Sequence, residues 1–270
     1  MNSKEMAGGF DLSFFRTAGS GGDTMNAGLE AKLNSFLESR GCRYPLSQGY
    51  GMSEVSSAAS CCCNGNFKSL SVGYPLLTTT IGIFEPGTDN ELDYGEEGEI
   101  CISGPSIMLG YLNNKAETEN VIRRHTDGAL WVHSGDIGHM DSDGFVYIKG
   151  RIKRMITRFD GHKVFPTHVE SVLGRHPLVS SCAVVGVNDT THAQGQLTLA
   201  VIETSETSLE KQLAIKNELY EMCRQELEGP AKPYDVIFID SMPHTGMGKI
   251  DYHKLAEDYN NENKNETEAV

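Results

Sequence analysis

The start of the chain pairs a glycine-rich segment with a helical pattern of apolar residues. After "TAGSGGD", apolar side chains recur at the three- and four-residue spacing of one helix face, at Leu29, Leu33, Phe36 and Leu37. The segment "GCRYP" follows, and its glycine and proline are residues that end helices. The pattern therefore predicts a loop followed by one amphipathic helix.

The apolar pattern changes between Val72 and Lys149. Short runs rich in β-branched and aromatic residues, "TTTIGIF", "GEICIS" and "FVYIKG", alternate with the turn segments "EPGTDN" and "DSDG". We expect an α/β segment over residues 1–72, followed by a small β-barrel-like region over residues 73–152. Because the sheet of this α/β segment lacks partner elements, we also expect it to leave apolar surface exposed, and a homodimer could form through that surface.

Helical spacing returns after Arg151. The segment "FPTHVESVL" carries Pro166 near a predicted helix start. A second helix is predicted by an apolar stripe at Leu209, Leu213, Tyr220, Cys223 and Leu227. Between these helices, "CAVVGV" and "QLTLAVIE" predict strands, so this part of the chain has the pattern of an α+β domain.

The basic stretch "KGRIKRMITR" lies where the β-rich pattern gives way to the helical one. We therefore expect a first domain over residues 1–152 and a C-terminal α+β lid domain over residues 153–258. The last residues, "NNENKNETEAV", lack an apolar anchor, so we expect residues 259–270 to be disordered.

Composition and charge narrow the classes of function. The 37 acidic and 23 basic residues give a net charge of −14, which argues against a nucleic-acid partner. Seven cysteines occur without a CxxC pair and include the run Cys61, Cys62 and Cys63, a spacing typical of neither zinc sites nor disulfide frameworks. The first ten residues lack the blocks of a signal peptide, and no apolar run approaches the ~20 residues of a membrane span. We expect a cytoplasmic protein without a membrane span.

Six motifs follow one another in a characteristic order. They are "SQGYGMSE" (47–54), "GEICISGPSIMLGYLNN" (98–114), "WVHSGDIG" (131–138), "GFVYIKGRIKRMI" (144–156), "GHKVFP" (161–166) and "PHTGMGKID" (243–251). Together they resemble the adenylate-forming superfamily of acyl-CoA synthetases, peptide-synthetase adenylation domains and firefly luciferase. The resemblance extends from about residue 17 to about residue 258.

The resemblance implies an enzyme that joins a carboxylic acid to ATP, giving an acyl-adenylate and pyrophosphate. Most enzymes of this superfamily then transfer the acyl group to a thiol. ATP or AMP, Mg²⁺ and coenzyme A are therefore the expected cofactors, and a carboxylic acid is the expected substrate.

Lys249 is the candidate catalytic residue. Attack of a carboxylate on the α-phosphate brings two anions together, so the site must supply a cation where charge develops. In the superfamily the matching lysine contacts both the carboxylate and the phosphate. The alternative is a solvated lysine on a glycine turn, which an isolated GxGK segment would favour because the Walker spacing is absent.

Five further residues of the first domain receive nucleotide roles from the resemblance. Glu54 matches a Mg²⁺ ligand, and Ser53 stands where threonine is usual and could donate to the α-phosphate. The segment containing Gly21, Gly22 and Asp23 matches a backbone loop beside adenine, although no lysine follows it as in an independent phosphate loop. For Glu54 the alternative is a carboxylate at a helix start.

The adenosine part of the nucleotide is assigned to three residues. Tyr50 would present its ring to adenine, and Asp136 would accept hydrogen bonds from both ribose hydroxyls. Arg151 would donate to the ribose or a phosphate. The alternatives are a core tyrosine for Tyr50 and surface ion pairs for Asp136 and Arg151.

Lys153 matches the residue about which enzymes of this superfamily rotate their C-terminal domain. A hinge there would place Lys249 in the site for adenylation and withdraw it for thiol transfer. The alternative is that the basic stretch is only a linker.

Two elements of the superfamily pattern do not occur in these 270 residues. They are the Ser/Thr/Gly-rich loop ending in "PKG" that surrounds the β- and γ-phosphates, and the large subdomain that holds most of the acyl pocket. We therefore expect the chain to correspond to the C-terminal half of a ligase and to be inactive alone. Either it is a fragment or a truncated product, or another chain supplies the complementing N-terminal half. The alternative is a non-catalytic nucleotide-binding or interaction module.

Overall fold

The computed structural model describes residues 10–22, 25, 27–63, 65–189, 191–246 and 248–268. The chain divides into two compact units, residues 1–149 and residues 150–270. The division falls three residues before the boundary that we predicted. Among the described helices, none is both long enough and apolar enough to cross a membrane.

The described residues of the first unit form two α-helices and two sheets. Its elements in chain order are β1 (Ala18–Ser20), α1 (Ala27–Ser39), β2 (Leu46–Met52), β3 (Ser57–Cys61), β4 (Tyr74–Pro75), β5 (Thr80–Phe84), β6 (Gly98–Ser103), α2 (Lys115–Val121), β7 (Ile122–Arg124), β8 (Leu130–Met140) and β9 (Val146–Arg151), whose last two residues belong to the second unit. A short 3₁₀ helix, Ser53–Val55, joins β2 to β3.

The first sheet has the strand order β1-β2-β3-β4. Strands β1 and β2 are parallel, and β2, β3 and β4 are antiparallel. Helix α1 follows the glycine-rich segment, as the apolar spacing predicted. Its Leu37 packs with Cys42 and Leu46 in a small apolar cluster at the start of β2. The sheet extends to Pro75, three residues beyond the predicted end of the α/β segment.

The second sheet is open. Strands β5, β6, β8 and β7 lie side by side in that order, and β9 also pairs with β8. Our expectation of a barrel-like region is therefore wrong for the described strands, which form no closed barrel. The region also contains α2, which begins where the Asn114 side chain accepts a hydrogen bond from the backbone N–H of Glu117.

One face of the open sheet forms the main core of the first unit. Alternating residues of its strands, Ile81, Ile83, Ile100, Ile102 and Val132, pack with Val55, Ala59 and Val146. The other face is smaller and aromatic, with Phe84, Cys101 and Trp131 buried together. Large apolar side chains near the start of the chain are exposed, including Phe10 (61%), Phe14 (71%) and Leu29 (44%). This agrees with the expected exposure of apolar surface on the α/β segment.

The second unit is an α+β domain around a three-stranded sheet. Its elements are β10 (Ile156–Thr157), β11 (Lys163–Val164), α3 (Pro166–Leu173), β12 (Ser181–Asn188), β13 (Gln196–Glu203), α4 (Leu209–Glu226), β14 (Asp235–Ile239) and α5 (Tyr252–Glu268), with short 3₁₀ helices at Ile152–Arg154 and Gly229–Ala231. Strand β13 lies in the centre of its sheet, antiparallel to β12 and parallel to β14.

Strand β13 is buried on both faces, which explains its nearly continuous apolar sequence. Ala200 and Ile202 contact the core formed with α3 and α4, whereas Leu199 and Val201 contact the core that includes α5. Each face therefore has its own helical cover, as in a two-sided α+β packing.

The predicted apolar stripe on α4 differs from the buried one. Leu209 and Leu213 are 82% and 60% exposed, whereas Ile215, Leu219 and Cys223 form the buried face. These three residues are spaced four apart, and of the three only Cys223 belonged to the predicted stripe. The stripe was wrong at its N-terminal end because exposed leucines at helical spacing are indistinguishable by sequence from buried ones.

The expected disorder of residues 259–270 is also wrong in part, because α5 continues to Glu268. The helix is anchored by Leu255, Ala256 and Tyr259, which pack on the sheet. The side chain of Asn260 in addition accepts a hydrogen bond of 2.9 Å from the backbone N–H of Asn188.

Candidate functional site

The candidate site of the first unit is centred on a hydrogen bond between residues 86 positions apart. The phenol of Tyr50 donates to Oδ2 of Asp136 at 2.6 Å. Both residues are buried, with exposed fractions of 9% and 3%. Tyr50 lies on β2 and Asp136 on β8, so one strand of each sheet contributes to the pair.

The glycines on either side of Tyr50 permit the close approach of β3. A Cβ atom at Gly51 would lie 1.7 Å from the carbonyl oxygen of Ser57, and one at Gly49 would lie 3.3 Å from that of Ser60. The pairing of β2 with β3 shifts register between Tyr50 and Gly51. The "GYGM" sequence thus fits an irregular strand that orients Tyr50.

A second irregularity positions Asp136. The pairing of β6 with β8 shifts register between Glu99 and Cys101, and Gly135 takes a positive φ of 70°. The hydroxyl of Ser134 donates to the carbonyl of Ile100 at 2.6 Å and accepts from the N–H of Asp136 at 3.0 Å. The "HSGD" sequence therefore forms a β-bulge in which the serine and the glycine hold the aspartate in place.

Glu99 fixes the same bulge from β6. Its Oε1 accepts from the N–H of Gly135 at 3.0 Å, and its Oε2 lies 2.9 Å from Nδ1 of His133. Burial opposes ionisation of Glu99, but the hydrogen bonds from His133 and Gly135 outweigh it and hold the pKa of Glu99 below its ordinary value. The carboxylate is thus an anionic anchor beside Asp136.

Glu54 follows Tyr50 on the short 3₁₀ helix and is partly buried. Its Oε1 accepts a hydrogen bond of 2.5 Å from the phenol of Tyr111. This hydrogen bond, followed by burial, raises the pKa of Tyr111 to about 12, because ionising the phenol would place a second anion beside Glu54. Tyr111 is itself placed by α2, since its N–H donates to the hydroxyl of Thr118 at 2.9 Å.

We expect Tyr111→Phe to lower the free energy of unfolding by about 0.5–1.5 kcal/mol, the net contribution of one hydrogen bond. The carboxylate of Glu54 is only partly buried, so water can replace the phenol and keep the loss small. Urea denaturation followed by circular dichroism measures this change. Tyr94→Phe is the matched control, because Tyr94 is 69% exposed and should give no measurable change. Equal stability of the wild-type protein and Tyr111→Phe would contradict the assigned contact.

The glycine-rich segment lies beside the strand that carries Tyr50. Parallel pairing sets Ser20 opposite Gln48, so Gly21 comes next to Gly49, and a Cβ atom at Gly21 would lie 3.1 Å from the carbonyl oxygen of Gly49. Gly22 has a φ of 89°, a conformation that favours glycine. Asp23 lies outside the described residues. Gly21 and Gly49 line an open cavity of about 1350 Å³ together with Cys61, Cys62 and Cys63.

The remaining candidates belong to the second unit. Arg151 ends β9, and Lys153 lies on the 3₁₀ helix that follows; both side chains are exposed. The adjacent Arg154 is different, because it pairs with Glu170 at 2.6 Å and stacks on the ring of Tyr252 at 3.5 Å. Arg154 therefore holds its own unit together, whereas the cationic side chains of Arg151 and Lys153 are exposed.

Lys249 lies at the end of a tight hairpin turn. His244 and Ile250 form an antiparallel bridge, and the N–H of Thr245 donates to the carbonyl of Lys249 at 2.7 Å. Gly248 has a φ of 78°, which a glycine adopts without strain. The turn fixes the backbone of Lys249 and leaves its side chain exposed.

The sequence profile of the AMP-binding enzyme family matches residues 1–112, and that of the AMP-binding enzyme C-terminal domain matches residues 168–249. A 4-coumarate–CoA ligase 1 from Glycine max is 31% identical over 246 residues, which cover 89% of this chain and 79% of that relative. The chain belongs to the adenylate-forming superfamily. This confirms the family that the six motifs indicated.

Other members of the superfamily are similarly close. A probable 4-coumarate–CoA ligase 1 from Dictyostelium discoideum is 34% identical over 93% of this chain and 43% of its own length. The structure of O-succinylbenzoate coenzyme A synthetase from Bacillus subtilis, in complex with ATP and magnesium ion, matches with a TM-score of 0.75 and 26% identity over 93% of this chain and 49% of that one. The chain thus spans less than half the length of these two relatives.

Several residues around the candidate site were not singled out by sequence reasoning. Tyr111, Ser134, Glu99 and His133 each hold or adjoin a candidate residue through the contacts described above. All four lie within motifs that carried the resemblance, "GEICISGPSIMLGYLNN" and "WVHSGDIG". The motifs could have drawn attention to these positions. The hydrogen-bond partners of each side chain, however, depend on strand register, which the sequence does not show.

Proposed function

We propose that this chain supplies the adenosine site and the C-terminal lid of an ATP-dependent ligase, which converts a carboxylic acid to an acyl-adenylate and then to a coenzyme A thioester. The observation that carries the proposal is the hydrogen bond between Tyr50 and Asp136. It places an aromatic ring and a carboxylate side by side, the two groups that an adenosine needs for its base and its ribose. The similarity of the chain to 4-coumarate–CoA ligases supports this class of reaction.

Nucleotide binding follows from the chemistry of these groups. The ring of Tyr50 offers a flat face on which a base can stack, worth about 1–3 kcal/mol. The carboxylate of Asp136 accepts two hydroxyl hydrogen bonds, so a ribose would share it with the phenol of Tyr50 or displace that phenol. The backbone of Gly21 and Gly22 lies close enough to the Tyr50 strand to contact the base edge.

Glu54 fits a role as a Mg²⁺ ligand. Its partly buried carboxylate supplies the hard oxygen donor that Mg²⁺ prefers, and its hydrogen bond from Tyr111 fixes the orientation of that group. Mg²⁺, when bound, neutralises phosphate charge. Ser53, which precedes Glu54 and is exposed, would donate its hydroxyl to the α-phosphate.

In this proposal Lys249 supplies the second cation. Its hairpin turn presents an ammonium group that would neutralise the carboxylate and the α-phosphate oxygens as they approach each other. Arg151 would donate to the ribose or a phosphate. Rotation about Lys153 would withdraw Lys249 before a thiol attacks the acyl-adenylate.

In this proposal the acyl group of the substrate binds beside β3. Small side chains, including Cys61, Cys62 and Cys63, line the cavity of about 1350 Å³ next to the glycine-rich segment. In our proposal the triphosphate loop and most of the acyl pocket come from a polypeptide segment outside these 270 residues. The chain alone should therefore show negligible ATP–pyrophosphate exchange with any carboxylic acid.

Isothermal titration calorimetry of the chain tests the adenosine site. We expect AMP and ATP to bind with similar, weak affinity, because the adenosine determinants are present and the triphosphate loop is not. Asp136→Asn should weaken AMP binding about 10-fold or more, since a hydrogen bond to a charged group contributes about 1.5–3 kcal/mol. The control is Asp143→Asn, whose carboxylate is 68% exposed and should leave AMP binding unchanged.

Two results would contradict this account. A marked preference for ATP over AMP would mean that the chain holds a phosphate loop elsewhere. Unchanged AMP binding in Asp136→Asn would remove Asp136 from the site. AMP binding without adenylation, in a protein that joins this chain to the N-terminal half of a relative, would instead favour the non-catalytic nucleotide-binding module.

A further inference from the structure

The aromatic face of the open sheet holds a cluster of three side chains whose donor atoms could bind a metal ion. Cys101 on β6 is the direct cross-strand partner of His133 on β8. Glu99 lies two residues before Cys101 and so projects from the same face of β6. Their exposed fractions are 5% for Glu99, 0% for Cys101 and 5% for His133.

One donor atom from each of these side chains converges on a common point. Nδ1 of His133 lies 2.9 Å from Oε2 of Glu99 and 3.5 Å from Sγ of Cys101. Single ligand atoms of all three residues lie within 4.8 Å of one another. Metal bonds of about 2.0 Å to nitrogen or oxygen and about 2.3 Å to sulfur, at tetrahedral angles, require donor separations of roughly 3.3–3.5 Å. The two separations from Nδ1 of His133 therefore lie within a few tenths of an ångström of those in a metal site.

The neighbours of the cluster orient its donors as partners in a metal site do. Nε2 of His133 faces Nε2 of His125 at 3.0 Å, which can fix the tautomer of His133. The other carboxylate oxygen of Glu99, Oε1, accepts a hydrogen bond of 3.0 Å from the N–H of Gly135. The rings of Phe84 and Trp131 pack against His125, so aromatic rings hold this second histidine in place.

We propose that Glu99, Cys101 and His133 bind a divalent transition-metal ion of the zinc class. Imidazole and thiolate are ligands that zinc favours, and a carboxylate oxygen is also common in its sites. Mg²⁺, the ion proposed for Glu54, is excluded here by the sulfur and nitrogen donors. Three protein ligands leave a fourth coordination position to water.

The proton balance of binding involves one thiol. Burial raises the pKa of Cys101 well above its usual range, with Glu99 adding to the increase and Arg123 opposing it. Cys101 is thus protonated without metal, and binding releases its single proton to solvent as the Sγ–metal bond forms. Both histidines keep one proton each: His133, coordinating through Nδ1, carries its proton on Nε2 and donates to Nε2 of His125, whose own proton is then on Nδ1. Thiolate and Glu99 together then balance the two charges of the ion.

The ion would join β6 to β8 immediately before the bulge that carries Asp136. Its ligand Glu99 also binds the N–H of Gly135, and Asp136 follows Gly135 directly. The metal would thus have a structural role, holding the strand segment that presents the ribose-binding carboxylate. The cysteine spacing alone gives no indication of this site, because its three ligands come from two strands and three residue types.

Cobalt titration of the full 270-residue chain tests the proposal. Co²⁺ bound to a thiolate gives a sulfur-to-cobalt charge-transfer band, and we expect this band to saturate at one equivalent and to disappear when Zn²⁺ is added. Cys101→Ser should abolish it. Cys63→Ser and Cys61→Ser are the controls and should keep it, because they alter the run of cysteines that could bind soft metals elsewhere.

Glu99→Gln provides a second test that keeps the shape of the side chain and its contact with Gly135. Changes to partners of metal ligands typically cost 10–100-fold in affinity, so loss of the ligand charge should weaken Co²⁺ binding at least about 10–100-fold. Circular dichroism checks that each variant is folded. If Cys101→Ser does not fold, Glu99→Gln decides, and affinity within twofold of the wild-type value would overturn the proposal. Absence of the band in the wild-type chain, its persistence in Cys101→Ser, or its loss in Cys61→Ser or Cys63→Ser would also overturn it.

Discussion

Replacing Lys249 with alanine is expected to slow acyl-adenylate formation by about 10²–10³-fold, the usual effect of removing one preorganised electrostatic donor. The proposed reaction joins a carboxylate to a phosphate, and without the ammonium group their mutual repulsion is not offset. The hairpin turn should be unaffected, because its hydrogen bonds involve the backbone of Thr245 and Lys249. The measurement is ATP–pyrophosphate exchange in a protein that joins this chain to the N-terminal half of an acyl-CoA ligase.

The two half-reactions separate a catalytic lysine from a structural one. Lys249→Ala should leave thioester formation from a preformed acyl-adenylate unchanged, since the proposed rotation about Lys153 has by then withdrawn the turn. Lys254→Ala is the matched control, because Lys254 is an exposed lysine five residues further along the same unit. If Lys249→Ala slowed both half-reactions equally, or neither, Lys249 would be a solvated lysine on a glycine turn without a catalytic role.

Replacing Leu219 with alanine is expected to lower the free energy of unfolding of the second unit by about 2–5 kcal/mol, as for other buried leucines. Leu219 is fully buried and packs with Ile215, Val169 and other residues of the core that covers β13. The truncation removes apolar surface and leaves a cavity between α4 and the sheet. Urea denaturation followed by far-ultraviolet circular dichroism measures the loss.

Leu213→Ala is the control on the same helix, because Leu213 is 60% exposed. Its effect should lie within about 0.5 kcal/mol of zero, the usual range for surface substitutions. Equal losses for Leu213→Ala and Leu219→Ala would mean that the burial pattern of α4 is different from the one described here.

The sequence pattern predicted a strand or helix correctly where the residues of that element alone were enough to specify it. The run "QLTLAVIE" is β13 from its first to its last residue, because a strand buried on both faces needs apolar residues at successive positions. Pro166 starts α3, since its missing N–H is harmless in the first turn. In contrast, the N-terminal half of the α4 stripe was wrong, and the disorder expected for residues 259–270 was wrong in part, because both depend on which surfaces pack together.

The sequence by itself determined the family, the order of most strands and helices, and the residues to which a nucleotide site could be assigned. Only the tertiary structure decided that the β-rich region is an open sheet, that Tyr50 bonds to Asp136, and that Tyr111 bonds to Glu54. The same holds for the cluster of Glu99, Cys101 and His133. The reason is physical: a motif fixes the types of side chain along one segment, whereas strand register and bulges set which atoms of distant segments come within bonding distance.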